Sequence, residues 1–172
     1  MSIQIEGPTS GVIGELRPIQ LVDLENRELL KLLAVSRNHY KGSFFTTSIS
    51  DPNTTKKFLL DILESKTKFI FFIYIYRTST NDAYLYGHLG YEIVDNHRVE
   101  VTNVMRLPNI NSNVQMLQPL STLISHLRST FSESQIYLKV LTSNNRAITL
   151  YTSCGFKVSV EESTDEVSVM IL

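Results

Sequence analysis

One stretch of the sequence, Ser134 to Val158 (SQIYLKVLTSNNRAITLYTSCGFKV), constrains the fold more than any other. Its first part, Ile136 to Leu141, is a short apolar run rich in strand-forming residues, with Lys139 as its only charge. Its last part opens at Phe156 and again has the composition of a strand. The stretch therefore predicts two strands joined by one short connection.

The connection between these strands is predicted to be a helix. Ser143 or Asn144 can cap its start, because their side-chain oxygens accept hydrogen bonds from the free N–H groups of a first turn. Gly155 stands where a residue in the left-handed conformation ends a helix. The apolar residues between these limits recur at helical spacing: Ala147, Leu150, Tyr151 and Cys154.

This pattern resembles the last motif of the GNAT superfamily of acetyl-CoA-dependent N-acyltransferases. The motif is a strand followed by N-x-x-A-x-x-x-Y-x-x-x-G-F, and the residues that match it are Asn144, Ala147, Tyr151, Gly155 and Phe156. The resemblance implies that Tyr151 protonates the leaving thiolate of CoA, and that Asn144 hydrogen-bonds the pantetheine arm or the helix start. The simpler interpretation is an amphipathic helix whose tyrosine fills the core.

The order of predicted elements also resembles the GNAT fold over nearly the whole chain. The order is strand, two helices, three antiparallel strands, helix, strand, helix and two strands. It implies one mixed α/β domain covering residues 1–172, with flanking helices and a central, mostly antiparallel sheet. A parallel pair, Arg98 to Leu107 and Ile136 to Leu141, is expected to splay apart and take the pantetheine arm, whose amides can satisfy the unpaired backbone groups.

The composition is that of an ordinary soluble globular protein. The chain has 172 residues, 42% hydrophobic and 19% charged, with a net charge of -1. That charge gives no electrostatic reason to expect binding to nucleic acid or to an anionic membrane. The longest apolar run, Phe69 to Tyr76, is too short to span a bilayer, and the N-terminus lacks the features of a signal peptide. The single cysteine, Cys154, fits a reducing compartment, so we expect a cytoplasmic protein.

The segment from Pro108 to Pro119 departs from the superfamily pattern. The phosphate loop of the superfamily is usually Q/R-x-x-G-x-G/A, and its glycines let backbone N–H groups surround the pyrophosphate of CoA. The segment from Pro108 to Pro119 has no glycine. Three asparagines could partly replace the glycines, and Pro119 requires the helix to start late or to bend. The loop either still binds CoA, which we favour, or has weakened or lost that function. The residues predicted to bind acetyl-CoA are Val104, Met105, Arg106, Asn111, Ser112, Asn113, Val114, Gln115, Met116, Asn144 and Tyr151.

A narrower resemblance concerns the acceptor. Gly87 to Gly90 (GHLG) and Val99 to Arg106 (VEVTNVMR) are similar to motifs of GNAT enzymes of surface-polysaccharide biosynthesis, which acetylate amino sugars, often linked to a nucleotide. A small-molecule amine is then the expected partner, with a homodimer as an allowed assembly. The alternatives are protein N-termini, polyamines, or a non-catalytic GNAT-like binding protein. The residues predicted to contact the acceptor are Arg37, Asn38, His88 and Asn103; the first two fall in a predicted linker, Ser36 to Ser50, after a helix from Asp23 to about Val35.

Glu100 is the candidate general base, because an amine acceptor must lose a proton before it attacks a thioester. It could instead be a solvated glutamate that pairs with Arg98 or Arg106. A backbone N–H near Met105 could hold the oxyanion. Strict alternation puts Asn103 on the opposite face from Glu100, unless a bulge resets the parity. The histidines show no metal-ligand spacing, so we expect no metal site.

Overall fold

The structure, a computed structural model, describes residues 1–7, 11–46, 48–77, 82–110 and 114–172. Within these residues it contains one eight-stranded sheet and four α-helices. The strands are β1 (Ile3–Glu6), β2 (Val12–Pro18), β3 (Lys68–Tyr76), β4 (Ala83–Ile93), β5 (Arg98–Arg106), β6 (Gln135–Leu141), β7 (Lys157–Ser159) and β8 (Val167–Ile171). The helices are α1 (Arg27–His39), α2 (Pro52–Glu64), α3 (Leu117–Thr130) and α4 (Asn145–Ser153).

The sheet has the strand order β1-β2-β3-β4-β5-β6-β8-β7, and every neighbouring pair is antiparallel except β5 and β6. Helices cover both of its faces. On one face α3 and α4 pack against the sheet through residues such as Leu123 and Tyr151. On the other face α1 and α2 pack through residues such as Leu33 and Leu59. The predicted mixed α/β fold is confirmed, and β3, the strongest apolar run, lies inside the sheet with helices on both sides.

The parallel pair of strands separates soon after it begins. Only three pairs of residues are in register, Arg98 with Gln135, Val99 with Ile136, and Glu100 with Tyr137. Beyond Glu100 the two strands diverge, and β6 continues instead alongside β8 up to Leu141. The predicted splay is therefore confirmed, and it leaves a gap in the middle of the sheet.

A β-bulge in β5 lies beside this gap. His88 pairs with Met105 and Gly90 pairs with Thr102, so Asn103 and Val104 together lie opposite one residue of β4. Asn103 has a φ of 55°, a left-handed conformation that asparagine tolerates better than most residues. The bulge shifts the alternation by one residue, as the sequence analysis allowed. Before it, Val101 packs toward α3 and α4; after it, Met105 packs toward α1 and α2.

The first helix differs from its prediction at both ends. Asp23 does not begin α1: it lies in a short 3-10 helix (Leu21–Glu25), where its carboxylate pairs with Arg17 at 2.8 Å. Asn26 caps α1 instead and accepts a hydrogen bond from the Leu29 backbone N–H at 3.0 Å. The helix then runs four residues past Val35, so Arg37 and Asn38 lie in its last turn and not in a linker. The predicted start was wrong because the Asp23 carboxylate pairs with Arg17 in the preceding strand, β2, and accepts a hydrogen bond from the Gln20 backbone N–H at 2.7 Å.

The organising stretch folds locally as predicted. Asn144 caps α4, accepting a hydrogen bond from the Ala147 backbone N–H at 3.2 Å. Gly155, with a φ of +97°, follows the helix and leads the chain into β7. Earlier in the chain α3 starts late, at Leu117, which leaves Pro119 in the first turn, where its missing N–H costs nothing. Asn111, Ser112 and Asn113 lie outside the described residues.

No helix in the described part of the chain is both long and apolar enough to cross a membrane. The same residues contain no group of three or more His, Cys, Asp or Glu side chains positioned to hold a metal ion.

Candidate active site

A cavity of about 940 Å³ occupies the gap between β5 and β6. It is lined by residues from both layers of helices, so it passes from one face of the sheet to the other. At one end its wall includes Arg37 from α1 and Phe58 from α2, and at the other end it includes Leu150 and Tyr151 from α4. Its size is at the upper end of the range of ligand pockets, which is enough for two small ligands that meet in the middle.

Tyr151 lies in the wall of the α4 end. Its side chain is 9% exposed and packs edge-on against Phe156, with 6.2 Å between ring centroids. Its hydroxyl forms no hydrogen bond with any of the described residues and so is available to a ligand. Burial raises the pKa of Tyr151 to about 12, with the neighbouring Cys154 thiol adding to the effect. The phenol therefore keeps its proton at neutral pH, as a proton donor to a thiolate must.

Glu100 lies where the two strands begin to diverge, at the α1–α2 end of the cavity. Its Oε2 accepts hydrogen bonds from the Tyr137 hydroxyl at 2.9 Å and from the Lys139 ammonium at 3.2 Å. Among the described residues Oε1 has no donor, so it is the oxygen that can receive a proton from an acceptor amine. Burial, followed by the hydrogen bond to Glu100, raises the pKa of Tyr137 to about 12, so this phenol stays a donor.

The arginines considered as partners of Glu100 are engaged elsewhere. Arg98 pairs with Glu162 at 2.6 Å and lies over the Tyr137 ring. Arg106, on the far side of the bulge, faces the opposite layer, lies over the Tyr86 ring and donates to the Ile110 carbonyl. Lys139 takes their place, because the parallel pairing sets β6 beside Glu100. Among the described residues Glu100 thus pairs with Lys139 and not with Arg98 or Arg106, the partners considered in the alternative interpretation.

The bulge orients His88 into the cavity. The Asn103 carbonyl lies 2.7 Å from His88 Nδ1, and because a carbonyl can only accept, Nδ1 carries the proton. Nε2 is therefore the unprotonated nitrogen. Burial lowers the pKa of His88 to about 4; the hydrogen bond to Asn103 opposes this shift and the charge of Arg37 adds to it. His88 is thus neutral at physiological pH and presents an acceptor nitrogen.

Arg37 lies at the α1–α2 end of the cavity, with an incomplete set of partners. Its Nη2 donates to the Thr46 carbonyl at 2.8 Å and to the Thr46 hydroxyl at 2.6 Å. Its guanidinium carbon lies 3.6 Å from the centroid of the Phe44 ring. Its Nη1 is buried and has no hydrogen-bond partner among the described residues. Burial lowers the pKa of Arg37 from its ordinary value, yet an arginine remains charged at neutral pH.

The loop after α1 is held in place by hydrogen bonds from the side chains of Asn38 and Asn144. Asn38 donates to the Ser50 carbonyl at 2.8 Å and accepts from the Ser50 backbone N–H at 2.7 Å, and it does not line the cavity. Asn144 donates to the Ser43 carbonyl at 3.5 Å, so the loop reaches across the gap to the start of α4. The side chain of Asn144 therefore serves the helix start and the loop, and its contact with the pantetheine arm stays a prediction.

The remaining predicted contacts with acetyl-CoA fall into three groups. Those that line the cavity are Val104, Met105, Arg106, Gln115, Met116, Asn144 and Tyr151. Val114 does not line it; its carbonyl accepts a hydrogen bond from the Tyr86 hydroxyl at 2.9 Å. Asn111, Ser112 and Asn113 are outside the described part of the chain. None of these residues has a demonstrated contact with a ligand, so their roles stay predictions.

Several lining residues were not predicted as site residues. They are Tyr40, Phe44, Phe45, Thr46, Tyr86, Lys139 and Arg146. The two charged residues had a signal in the sequence: Lys139 is the only charge in an apolar strand, and Arg146 follows the cap of α4. The long polar-aromatic segment from Ser36 to Ser50 was itself a signal for Tyr40, Phe44 and Phe45, because binding residues are common in such connections. Tyr86, inside β4, had no signal.

Comparison with known proteins supports the fold. No protein-family model matches the sequence, and no curated protein matches it significantly. Among solved structures, RimL, a ribosomal L7/L12 alpha-N-protein acetyltransferase in complex with coenzyme A, superposes with a TM-score of 0.75 at 13% identity, covering 100% of this chain and 97% of RimL. FdhC, a nucleotide-linked sugar GNAT, gives a TM-score of 0.74 at 12% identity, covering 100% of this chain and 90% of FdhC.

A third similar structure is the spermidine N-acetyltransferase of Vibrio cholerae in complex with CoA and spermine. It has a TM-score of 0.66 at 16% identity, covering 91% of this chain and 93% of the enzyme. At such identities the comparisons establish the fold, which is that of the GNAT acetyltransferases. The three proteins are described as acting on a protein, a nucleotide-linked sugar and a polyamine, so they leave the acceptor open.

Proposed function

We propose that the protein is an N-acetyltransferase that transfers the acetyl group of acetyl-CoA directly to a small amine, such as an amino sugar or a nucleotide-linked amino sugar. The observation that carries this proposal is the cavity between the diverging strands β5 and β6, with protonated Tyr151 at one end and Glu100 at the other. Its two ends provide separate places for donor and acceptor. Two structures with the same fold hold CoA, in agreement with this assignment.

The α4 end of the cavity suits the donor. Beyond Glu100 and Tyr137, the backbone N–H and C=O groups of β5 and β6 no longer hydrogen-bond each other. The amides of the pantetheine arm can supply these hydrogen bonds. Arg106 and Arg146 line this end, and among the described lining residues no carboxylate faces them. Cationic side chains of this kind attract phosphate groups. The described residues therefore fit CoA even though the loop lacks glycines.

The chemistry divides between the two ends. The acceptor nitrogen gives up a proton to Glu100 Oε1, directly or through water, and its lone pair forms a bond to the carbonyl carbon of the thioester. The oxyanion that forms is held by a backbone N–H near Met105, where the bulge turns the strand. When the intermediate collapses, the C–S bond breaks and the Tyr151 hydroxyl protonates the sulfur. The nitrogen must lose a second proton to become a neutral amide, and His88 Nε2 or water accepts it; Tyr151 then recovers its proton from solvent.

The charges of the cavity favour an amino sugar over a polyamine. Glu100 is the one carboxylate among the described lining residues, and Lys139 already pairs with it. A polyamine carries several positive charges and needs several carboxylates close together. An amino sugar needs mainly hydrogen-bonding groups, which the acceptor end offers in His88, Asn103, Thr54 and Thr55. A peptide α-amine remains the second candidate, since RimL shares the fold over its whole length.

The test is release of free CoA thiol from acetyl-CoA in the presence of a panel of amines that includes free and nucleotide-linked amino sugars, peptides and spermidine. We expect turnover with an amino sugar, a product that is heavier by one acetyl group, and no turnover with spermidine. Calorimetry with CoA is the control for the non-catalytic alternative. Binding of CoA without turnover of any amine would favour a binding protein, and absence of CoA binding would overturn the proposal.

A further inference from the structure

The acceptor end of the cavity contains an unbalanced positive charge. Its charged side chains are Arg37, Glu100 and Lys139, and the last two neutralise each other at 3.2 Å. His88 is uncharged at neutral pH and faces Arg37. Among the described residues, no carboxylate hydrogen-bonds or ion-pairs with Arg37. Arg37 is partly buried, and a cation in such a place without a counter-ion carries a cost that an anionic partner would reduce.

The geometry around Arg37 leaves one side of the guanidinium for that partner. Thr46 takes Nη2, and the Phe44 ring covers one face. Nη1 is buried and has no acceptor in the described part of the chain, although the side chain lines the cavity. An unmade hydrogen bond from a buried charged donor is destabilising, and an anionic oxygen brought by a ligand would remove that cost. With Nη2 occupied, Nη1 can donate a charge-assisted hydrogen bond to an oxygen of a carboxylate or phosphate.

From these observations we infer that the acceptor amine carries an anionic group, a carboxylate or a phosphate, which Arg37 binds while the amine lies toward Glu100. This inference rests on the proposed function and adds a substrate class to it. Arg37 is then a specificity residue: it selects amines with a negative charge on the far side from the nitrogen. The same charge repels a polyamine, whose second ammonium would lie close to it.

The experiment compares three amino sugars that differ mainly in their anionic group: glucosamine, glucosamine 6-phosphate and muramic acid, a glucosamine that bears a carboxylate. The kcat/KM of acetyl transfer is measured for each. Wild-type protein is expected to prefer at least one anionic sugar by about 10- to 100-fold, the effect of one charged hydrogen-bond pair. The phosphate and the carboxylate sugars distinguish the two sources of charge.

The variant Arg37→Gln removes the charge and is expected to abolish most of that preference, lowering kcat/KM for the anionic sugar much more than for glucosamine. The matched control is Arg27→Gln, on the exposed first turn of the same helix, which makes the same change of charge away from the cavity. Arg37→Lys keeps the positive charge but removes the planar guanidinium, and should retain part of the preference for anionic sugars. A purely structural role for Arg37 predicts equal losses for all three sugars, which would overturn the inference.

Binding separates this inference from the proposed function. CoA-loaded protein is titrated calorimetrically with glucosamine 6-phosphate and with muramic acid. If no sugar is acetylated but an anionic one binds to wild-type protein and about tenfold or more weakly to Arg37→Gln, the acetyltransferase assignment fails and the anion site stands. If neither anionic sugar binds better than glucosamine, or if Arg37→Gln binds them as well as wild type, the anion site is refuted, whatever the activity.

Discussion

At the scale of single residues, Tyr151 makes the sharpest prediction. Tyr151→Phe removes only a hydroxyl that has no partner among the described residues, so the packing against Phe156 and the melting temperature should change little. The rate of acetyl transfer should fall by roughly 10²–10⁴-fold, because the CoA thiolate must then leave without a proton. Steady-state kinetics and CoA calorimetry on the same preparation check this. Wild-type turnover by the variant would make Tyr151 a core residue and not an acid.

Glu100 is the second residue with a predicted role. Glu100→Gln preserves size and keeps an oxygen for Tyr137 and Lys139, but it cannot accept a proton. We expect a loss of roughly 10²–10⁴-fold in kcat with CoA affinity unchanged. Lys139→Met is the informative comparison, since it removes the ion pair at 3.2 Å and leaves the carboxylate in place. If Glu100→Gln turns over normally, the base is His88 Nε2 or water.

His88 gives the protein a predictable dependence of stability on pH. Its pKa falls from the ordinary value in the unfolded chain to about 4 in the folded protein. Between about pH 6.5 and 4 the unfolded chain binds a proton that the folded protein does not, so stability decreases as the pH is lowered through this window. The loss is at most roughly 3 kcal/mol, and water in the cavity reduces it.

Denaturant unfolding of wild type and His88→Asn at pH 7.5 and pH 4.5 measures this effect. The difference in the free energy of unfolding between the two pH values should be smaller in the variant, because asparagine does not titrate. Equal differences in the two proteins would show that other groups cause the acid sensitivity.

At the scale of elements, α4 is fixed by its two ends. Gly155 has a φ of +97°, which an L-residue adopts only with strain, although a Cβ there would meet nothing closer than the Leu172 side chain at 3.7 Å. Gly155→Ala should therefore destabilise the protein by about 1–2 kcal/mol through its backbone alone. Gly42→Ala is the control, because a Cβ at Gly42 meets nothing within 4 Å and its φ is not positive. Equal melting temperatures for the two variants would contradict this account.

The bulge is the element that connects fold to site. It gives Asn103 a left-handed conformation, supplies the carbonyl that fixes the His88 tautomer, and moves Met105 to the opposite face from the one that strict alternation predicts. A continuous ladder between β4 and β5 would have none of these features. The bulge thus places the Asn103 backbone, the His88 side chain and Met105 as they are observed beside the gap.

At the scale of the whole molecule, the cavity predicts stabilisation by CoA. A ligand that binds only the folded state stabilises it by about 2.7 kcal/mol at 100 times its Kd. For a chain of 172 residues this corresponds to a rise in melting temperature of roughly 5–10 °C. Thermal melts with and without CoA, with adenine as a control that lacks the pantetheine arm, measure the shift. An unchanged melting temperature at millimolar CoA would mean that the protein, with its glycine-free loop, does not bind CoA.

The sequence by itself determined the features that depend on neighbours along the chain. The cap at Asn144, the turn at Gly155, the apolar run of β3 and the late start of α3 before Pro119 all follow from hydrogen bonds or backbone preferences within a few residues. The order of such elements resembles the GNAT fold, and that resemblance predicted the mixed sheet and its splayed parallel pair. Helix caps, turns and apolar strands of this kind can be predicted from a single sequence because they depend on residues close together in the chain.

Only the tertiary structure decided the features that join residues far apart in the chain. Lys139 reaches Glu100 across 39 positions, and Asn144 reaches Ser43 across 101. The Nη1 of Arg37, which has no hydrogen-bond partner among the described residues, can be recognised only when the groups around it have been placed. Periodicity and spacing carry no record of such pairings, because they depend on which strands become neighbours and where one of them bulges.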